Sequence, residues 1–484
     1  MKVSLIALIA LVLTTQHSVA QHQLQVDLSL QDAIQLTQKH GSAVAQAKIQ
    51  TLISEGAITS ANGDFDTVFF ADLNYNFNES PASGFFSQFG NTRSQSYSAS
   101  QGLRTKLRSG GSLEFKMNEG YDDVNYLDDS QSNTSASVSF TQPLLRGAFS
   151  NTVEAEMRKA QLRHSSNLLA VSQASVDAVQ LVVDAYWGLA FAVADLEVKK
   201  QSLQLAENLR DITVVKFNVG AVAEVEVTQT KADIASRKDA VLIAQNSVRT
   251  SHDTLRSLIS AFDTQDDWQI SFNLVSQLPE VTVVEVDWLS VWNTALENRA
   301  DLKQLQSDID SAQIDYEVAS SNMLPKLDLS ASGTYSAQDQ QVSSSLDRLF
   351  DRDFPGYTVG FSFELPLSNN LYQGALVQAK QQLALAKRVL RDRSNELAKE
   401  VREALENVNY LAERVAVTAN ATQMAEVKLS SEQLRLSEGA STNYQVLQFQ
   451  ADLAVAQSQQ LQAQTEYAKA IVKLETVQGI IPTL

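Results

Sequence analysis

"KFNVGAVAEVEVTQTKAD", residues 216–233, sets a glycine inside a stretch that otherwise reads as helix, and 219 positions downstream the chain repeats itself as "RLSEGASTNYQVLQFQAD", residues 435–452. Gly220 falls on Gly439, Val227 on Val446, Ala232 on Ala451 and Asp233 on Asp452. Glycine costs about 1 kcal/mol relative to alanine inside a helix. The same interruption placed twice is therefore a feature of the fold and not a lapse in one helix.

The repeat extends outward from the glycines. Between about 151 and 219, apolar or small residues recur at Ala178, Val182, Ala185, Leu189, Ala192 and Leu196, with the alternating four-and-three spacing of a coiled-coil seam. Shifted by 219 positions the seam returns as Leu397, Val401, Ala404, Val408, Leu411 and Val415, inside a second helical stretch from about 371 to 437. At about 1.5 Å per residue each unbroken stretch would be on the order of 100 Å long. Helices of that length do not belong in a compact globule.

Before each long stretch the period changes from helical to two. In "TVFFADLNYNFN" (67–78), Phe69, Ala71, Leu73, Tyr75 and Phe77 alternate with Asp72, Asn74, Asn76 and Asn78. "SASVSFTQPLL" (135–145) does the same with Ala136, Val138 and Phe140 until Pro143 ends the strand. "KLDLSASGTY" (326–335) begins after Pro325, and "YTVGFSFELPL" (357–367) is stopped by Pro366. Alternation of this kind fits either a half-buried antiparallel strand or the wall of a membrane barrel.

Context favours the barrel. A sandwich would need many more strands and has no use for helices far longer than itself. The polar, Gly- or Pro-containing segments "ESPASGFFSQFGN" (79–91) and "SAQDQQVSSSLDRLFDRDFPG" (336–356) have the character of exposed barrel loops. Four strands fall short of the roughly eight that close a small barrel, so several copies of the chain are expected to share one. A further segment, "YSASQGLRTKLRSGGSLEFKMN" (97–118), reads as an extra hairpin turning at Ser109 to Gly111. It either extends strands beyond the membrane or forms a plug-like loop.

Composition excludes other classes. The 484 residues carry a formal charge of -18 and no cysteine, which argues against nucleic acid as a partner and removes disulfide and thiolate chemistry. A lysine, the apolar run "VSLIALIALVL" and a small-residue site ending at Ala20 make residues 1–20 an expected secretory signal peptide. No later segment approaches 18 consecutive apolar residues, so no transmembrane helix is expected. Metalloprotease, nucleophile-elbow and phosphate-loop motifs are absent from the sequence. The acidic stretch "YDDVNYLDDS" (121–130) lacks the spacing of a calcium loop and reads as solvated. His164 and His252 read as surface residues of helices, and Asp266 and Asp267 as linker acids with no convergent partner. No enzyme activity, cofactor or metal is expected.

With the repeat, the seams and the strand pairs in place, the sequence resembles the TolC family of outer-membrane efflux and secretion channels over essentially its whole mature length. The most specific residues are "FNVGAVAEVEVTQTKADIA" and "SEGASTNYQVLQFQADLA"; "NRADLKQLQSDIDSAQIDYEVASSNMLPKLDLSASGTY" and "QPLLRG" (142–147) also match the family pattern. The resemblance implies an α+β membrane protein: an antiparallel coiled-coil α-barrel on a transmembrane β-barrel shared between protomers. It further implies a homotrimer with four strands per protomer, twelve in all, and a helical tunnel across the periplasm of a Gram-negative cell. An inner-membrane pump of the RND, ABC or MFS type and a periplasmic adaptor, or membrane fusion, protein would be its partners, in efflux or type I secretion, with outer-membrane lipid around the barrel. The expected organisation is a signal peptide at 1–20, a first repeat at 21–262, an equatorial linker at 263–287 and a second repeat at 288–484. Each repeat would open with a helix, about 29–61 and 288–323.

In this family the glycine turns form the periplasmic tip, where a descending helix reverses and the tunnel narrows. Gly220 and Gly439 are expected there, using the positive φ that glycine tolerates. Relatives carry an Arg after the second glycine and two Asp residues ringing the entrance; here those positions read Ser441, Gln445 and Gln448. The first turn keeps Glu224 and Glu226, the latter where relatives place an Asp that helps hold the tip shut. Neutral side chains imply a mouth held by weaker bonds than charge-assisted pairs would give. The competing functional class is a non-conducting trimeric coiled-coil adhesin anchored by a shared barrel.

Overall fold

The structure, a computed structural model, describes residues 25–81, 90–124, 131–148, 150–259, 268, 270–282, 287–351 and 354–482. The signal segment, part of the 263–287 linker with Asp266 and Asp267, and the end of the acidic stretch lie outside these residues. The chain divides into two compact units, one built from 1–45, 175–288 and 402–484, the other from 46–174 and 289–401.

In the first unit, strand β1 (Gln25–Leu28) pairs in parallel with β6 (Ser271–Leu274). Helix α1 (Leu30–His40) follows at once, its start fixed by a capping box between Ser29 and Asp32. The long helix α4 (Ala155–Asn218) from residue 175 onward, its return α5 (Glu224–Ile259), and the second pair, α9 (Asn370–Ser437) from residue 402 onward and α10 (Asn443–Val477), supply the rest. Val179, Val182, Val183, Tyr186 and Leu189 of α4 are fully buried in one cluster with Leu255 and Ile259 of α5, Ala468 and Val472 of α10, and Leu28. The Tyr186 hydroxyl donates to the Leu28 carbonyl (3.1 Å) and accepts from the Ser276 amide (3.1 Å), so it is satisfied inside that core. An 18-residue window of α4 reaches a mean hydropathy of 1.4, enough to cross a membrane by composition. Half of that window is buried, and its hydropathy is accounted for by the core it helps to fill.

The seam read from the sequence is the buried face of the long helices: Ala178, Val182, Leu189 and Ala192, and Leu397, Val401, Ala404, Val408, Leu411 and Val415, are all buried. The expected opening helices are each broken in two. The 29–61 stretch splits into α1 and α2 (Ser42–Asn62) because the backbone at Gly41 leaves the helix (φ -55°, ψ 129°). The 288–323 stretch splits into α6 (Trp288–Asn298) and α7 (Ala300–Asn322) at Arg299, whose ψ of 117° is extended. His252 is not a surface residue: it is half-buried and stacks on Phe272, with centroids 6.1 Å apart. Burial, helped by Arg256, lowers its pKa.

The second unit carries a six-stranded antiparallel sheet. Strands β2 (Val68–Pro81), β3 (Asn91–Lys106), β4 (Ser112–Val124), β5 (Gln131–Pro143), β7 (Lys326–Asp339) and β8 (Phe354–Glu364) lie in that spatial order. The family resemblance implies four strands per chain; the difference is the 97–118 hairpin. It is not a plug-like loop, because β3 and β4 fill the space between β2 and β5 and pair with each other and with both neighbours. The hairpin turns at 108–111, where the Leu107 amide donates to the Gly111 carbonyl (2.7 Å). A short helix, α8 (Val342–Asp351), covers one end of β5 and β7, with Ser345 donating to the Thr134 hydroxyl (2.7 Å) and Leu349 buried.

Below the sheet, α2, α7 and the parts of α4 and α9 that belong to this unit are joined by polar contacts. The Ser54 hydroxyl meets His164 Nδ1 (3.1 Å), which makes His164 a partly buried partner and not a bare surface residue. Lys159 pairs with Asp315 (2.9 Å). Asp301 is gripped by Arg299 (2.6 Å) and Arg393 (2.9 Å), and Arg393 also binds Glu400 (2.7 Å). Burial alone would raise the Asp301 pKa, but the hydrogen bonds and charges of the two guanidinium groups win and hold it at about 2.

Candidate functional site

The two helical hairpins of the first unit end in the same turn. Gly220 (φ 78°) donates to the Phe217 carbonyl (2.9 Å) and Ala221 to the Lys216 carbonyl (2.8 Å). Gly439 (φ 76°) donates to the Leu436 carbonyl (3.3 Å) and Ala440 to the Arg435 carbonyl (2.8 Å). These nested bonds satisfy the last carbonyls of α4 and α9, and they require the left-handed backbone that costs a side-chain-bearing residue about 1–2 kcal/mol. Each return helix then starts within a few residues, α10 capped by Thr442, whose side chain accepts from the Gln445 amide.

Behind the turns the four helices share one apolar cluster, with Ala206 and Leu209 of α4, Ile234 of α5, Leu429 of α9 and Val446 and Leu447 of α10. Val446 and its counterpart Val227 are both buried. One buried cation crosses this core. Arg237 donates to Asp233 (2.5 Å) on its own helix, to the Ser202 carbonyl (2.9 Å) and hydroxyl (2.8 Å) on α4, and to the Leu447 carbonyl (3.0 Å) on α10. Three helices are fixed by a single planar group suited to several acceptors at once.

Of the residues singled out in the sequence, Ser441 and Gln445 come together: the Ser441 hydroxyl lies 3.0 Å from Gln445 Oε1 and also bonds Glu432. Glu432 is buried and is held by Arg435 (3.2 Å), whose guanidinium also reaches the Ala440 carbonyl (3.2 Å) and so braces the turn. Glu226 is joined to the other hairpin, accepting from the Asn443 amide at 3.1 Å. Glu224 and Gln448 stand apart: Glu224 is exposed at the start of α5, and Gln448 is exposed and donates to Asp452 (3.1 Å). Pro143 is the last residue of β5, Pro325 directly precedes β7 and Pro366 follows the end of β8.

Sequence reading missed Arg237, Asn443, Glu432 and Arg435. A signal existed for Arg237, since its counterpart 219 positions on is Ala456. A charged residue on one side of a repeat and alanine on the other marks a contact made once. Nothing comparable distinguished Glu432 and Arg435, which look like an ordinary pair on a helix surface.

The model of the outer membrane efflux protein family matches residues 71–261 and 291–479, most of the chain. The chain belongs to the outer membrane efflux protein family. Among relatives of this outer membrane efflux protein, the outer membrane protein TolC of Salmonella enteritidis is 24% identical over 371 residues, covering 73% of this chain and 70% of that one. The proteases secretion protein PrtF of Dickeya chrysanthemi is 21% identical over 192 residues, covering 40% of this chain and 42% of its own. Among solved structures, the Campylobacter jejuni CmeC outer membrane channel superposes with a TM-score of 0.71 at 15% identity, covering 93% of this chain and 85% of that one. The efflux family places this protein in the outer membrane, and the relatives it matches are channel proteins.

Proposed function

We propose that three copies of the chain form a passive conduit through which substrates delivered by an inner-membrane transporter and a periplasmic adaptor leave the cell. The observation that carries this reading is the pair of like turns at Gly220 and Gly439 at the ends of long helices whose sheet-bearing unit exposes a continuous apolar face. Self-association is supported by surfaces that one chain leaves bare. On α9, Val417, Met424, Val427 and Leu434 are exposed at spacings of seven, three and seven, a second coiled-coil seam with no cover among the described residues. An adhesin stalk would have no need of two matched hairpin ends, each braced by its own set of bonds.

At the hairpin ends, which this reading places at the periplasmic mouth, closure rests on the Asn443–Glu226 bond and on the Ser441, Gln445, Glu432 and Arg435 group. Glu224 and Gln448 contribute no bond between hairpins. Because Gln448 is neutral, it cannot concentrate cations as a carboxylate ring would. Block of single-channel current by multivalent cations should be weak and unchanged in Gln448→Ala. Strong block abolished by that substitution would overturn this account of the mouth. The conduit itself is tested by planar-bilayer recording of the purified protein; a barrel that stays sealed whatever is changed at the hairpin ends would exclude it.

A further inference from the structure

We propose that the β3–β4 hairpin is part of the membrane wall, so that each chain supplies six strands and β8 of one copy pairs with β2 of the next. On the three-copy reading above, the barrel then has eighteen strands in place of twelve.

The register carries the first step. One row runs Phe69, Leu103, Phe115, Val138, Gly333 and Tyr357 through all six strands in order. Its side chains share one face of the sheet, and that face is bare outside the end of β5 and β7 that α8 covers: Leu73 on β2 is 84% exposed and Tyr357 on β8 is 81% exposed, with Tyr97, Leu103 and Phe115 of the hairpin exposed between them. Tyr75, Tyr97 and Tyr121 sit side by side on the same face, with successive ring centroids 4.8 and 6.4 Å apart, like part of an interfacial aromatic girdle. The apolar band runs on through the hairpin, with Gln95, Gln101 and Glu119 as polar residues within it. A hairpin lying in water would have no reason to keep the band in register.

The opposite face is polar on the same strands. The hairpin puts Ser96, Ser98 and Ser100 of β3 and Lys116 and Asn118 of β4 there, between the asparagines of β2 and the serines of β5. Small hydroxyls line a water-filled interior without filling it.

The edges carry the second step. Among the described residues no strand pairs with the outer side of β2 or of β8, which are 14 and 11 residues long. Open edges are not tolerated in hydrocarbon, where each unpaired backbone group costs several kcal/mol. Because the sheet is an antiparallel series of six, β2 and β8 run in opposite directions, and joining β8 to a neighbour's β2 continues the antiparallel order with the apolar face outward. Six strands are too few to close alone, so the occupant of each edge is a second copy. With strands about 4.8 Å apart and tilted by about 40°, eighteen give a barrel about 36 Å across and twelve about 24 Å. The wider wall suits bulkier cargo than a twelve-stranded one.

The chain has no cysteine, so single cysteines can carry a fluorophore at Tyr97 and Phe115 on one face of the hairpin and at Ser98 and Lys116 on the other. Leu73, Asn74, Thr358 and Val359 serve as reference positions on β2 and β8. In vesicles with brominated lipids, quenching should be severalfold stronger at Tyr97, Phe115, Leu73 and Val359 than at the alternate positions. Hairpin labels that are all open to water while β2 and β8 alternate would overturn the six-strand wall and leave the conduit reading standing. Loss of alternation on β2 and β8 as well would overturn both. Imaging of the unmodified particle, with its mass, is independent of any variant: three copies around a wall near 36 Å support the proposal, and a wall near 24 Å or two copies overturn it.

Discussion

The Asn443 side-chain amide donates to Glu226 across 3.1 Å, linking the return helix of one hairpin to that of the other. Asn443 is buried and Glu226 half-buried, so the bond is partly screened and is expected to be worth about 1.5 kcal/mol, at the low end for a hydrogen bond to a charged group. Asn443→Ala and Glu226→Ala should each loosen the hairpin ends and raise single-channel open probability. The double variant should do no more than either alone. Additive effects in a double-mutant cycle would show that the pair is not coupled.

Arg237 presents a harder constraint, because it is buried and replaces no charge partner on the facing helices, only carbonyl and hydroxyl acceptors. Arg237→Met keeps the apolar stem but leaves the Asp233 carboxylate without its cation and removes the donor shared by the Ser202 hydroxyl and the Leu447 carbonyl. A loss of about 2–4 kcal/mol is expected. Hydrogen exchange should quicken in α4 and α10 near residues 202 and 447 before it quickens in the sheet. Uniform exchange across the chain would show that Arg237 does not clamp these helices.

How much of this was open to reading from the sequence depended on whether a contact is local. Seam residues such as Val182 and Val401 could be located because helical spacing alone puts them on one face. The breaks at Gly41 and Arg299 could not, since the apolar period runs through both and tertiary packing decides the kink. The hairpin is the instructive case. Its turn at Ser109 to Gly111 was legible, but its place in the sheet rests on pairing with residues up to tens of positions away, and Gln95, Gln101 and Glu119 dilute the apolar alternation. Gly220 and Gly439 could be picked out because they occur twice, whereas the side chains that brace them, Arg435 and Glu432, have no periodic signature.

Both turn glycines have open space where a Cβ would go, so the cost of substitution there is conformational and not steric. Gly439→Ala and Gly220→Ala should each destabilise by about 1–2 kcal/mol through the left-handed backbone. Asparagine, which tolerates that region better, should recover part of the loss at either site. Thermal unfolding of the two single variants and the two asparagine variants checks this ordering; equal losses for alanine and asparagine would point to a lost contact instead.

Acid should act on the unit that carries the sheet through Asp301. Its carboxyl is held at about 2, below the ordinary 3.8, by Arg299 and Arg393. A depressed carboxylate contributes stability that is fully present above its unfolded pKa and is lost as pH falls through the folded value. The window is therefore pH 4 down to 2, and the contribution is on the order of 2 kcal/mol. Asp301→Asn removes that titration, so the difference in melting temperature between parent and variant should be largest at neutral pH and shrink across that window. It also takes from Arg299, only 7% exposed, the charged acceptor 2.6 Å away, so the variant should be the less stable of the two at pH 7. A gap that stays constant from pH 7 to pH 2 would mean that the charge of Asp301 contributes nothing and that its packing alone is felt.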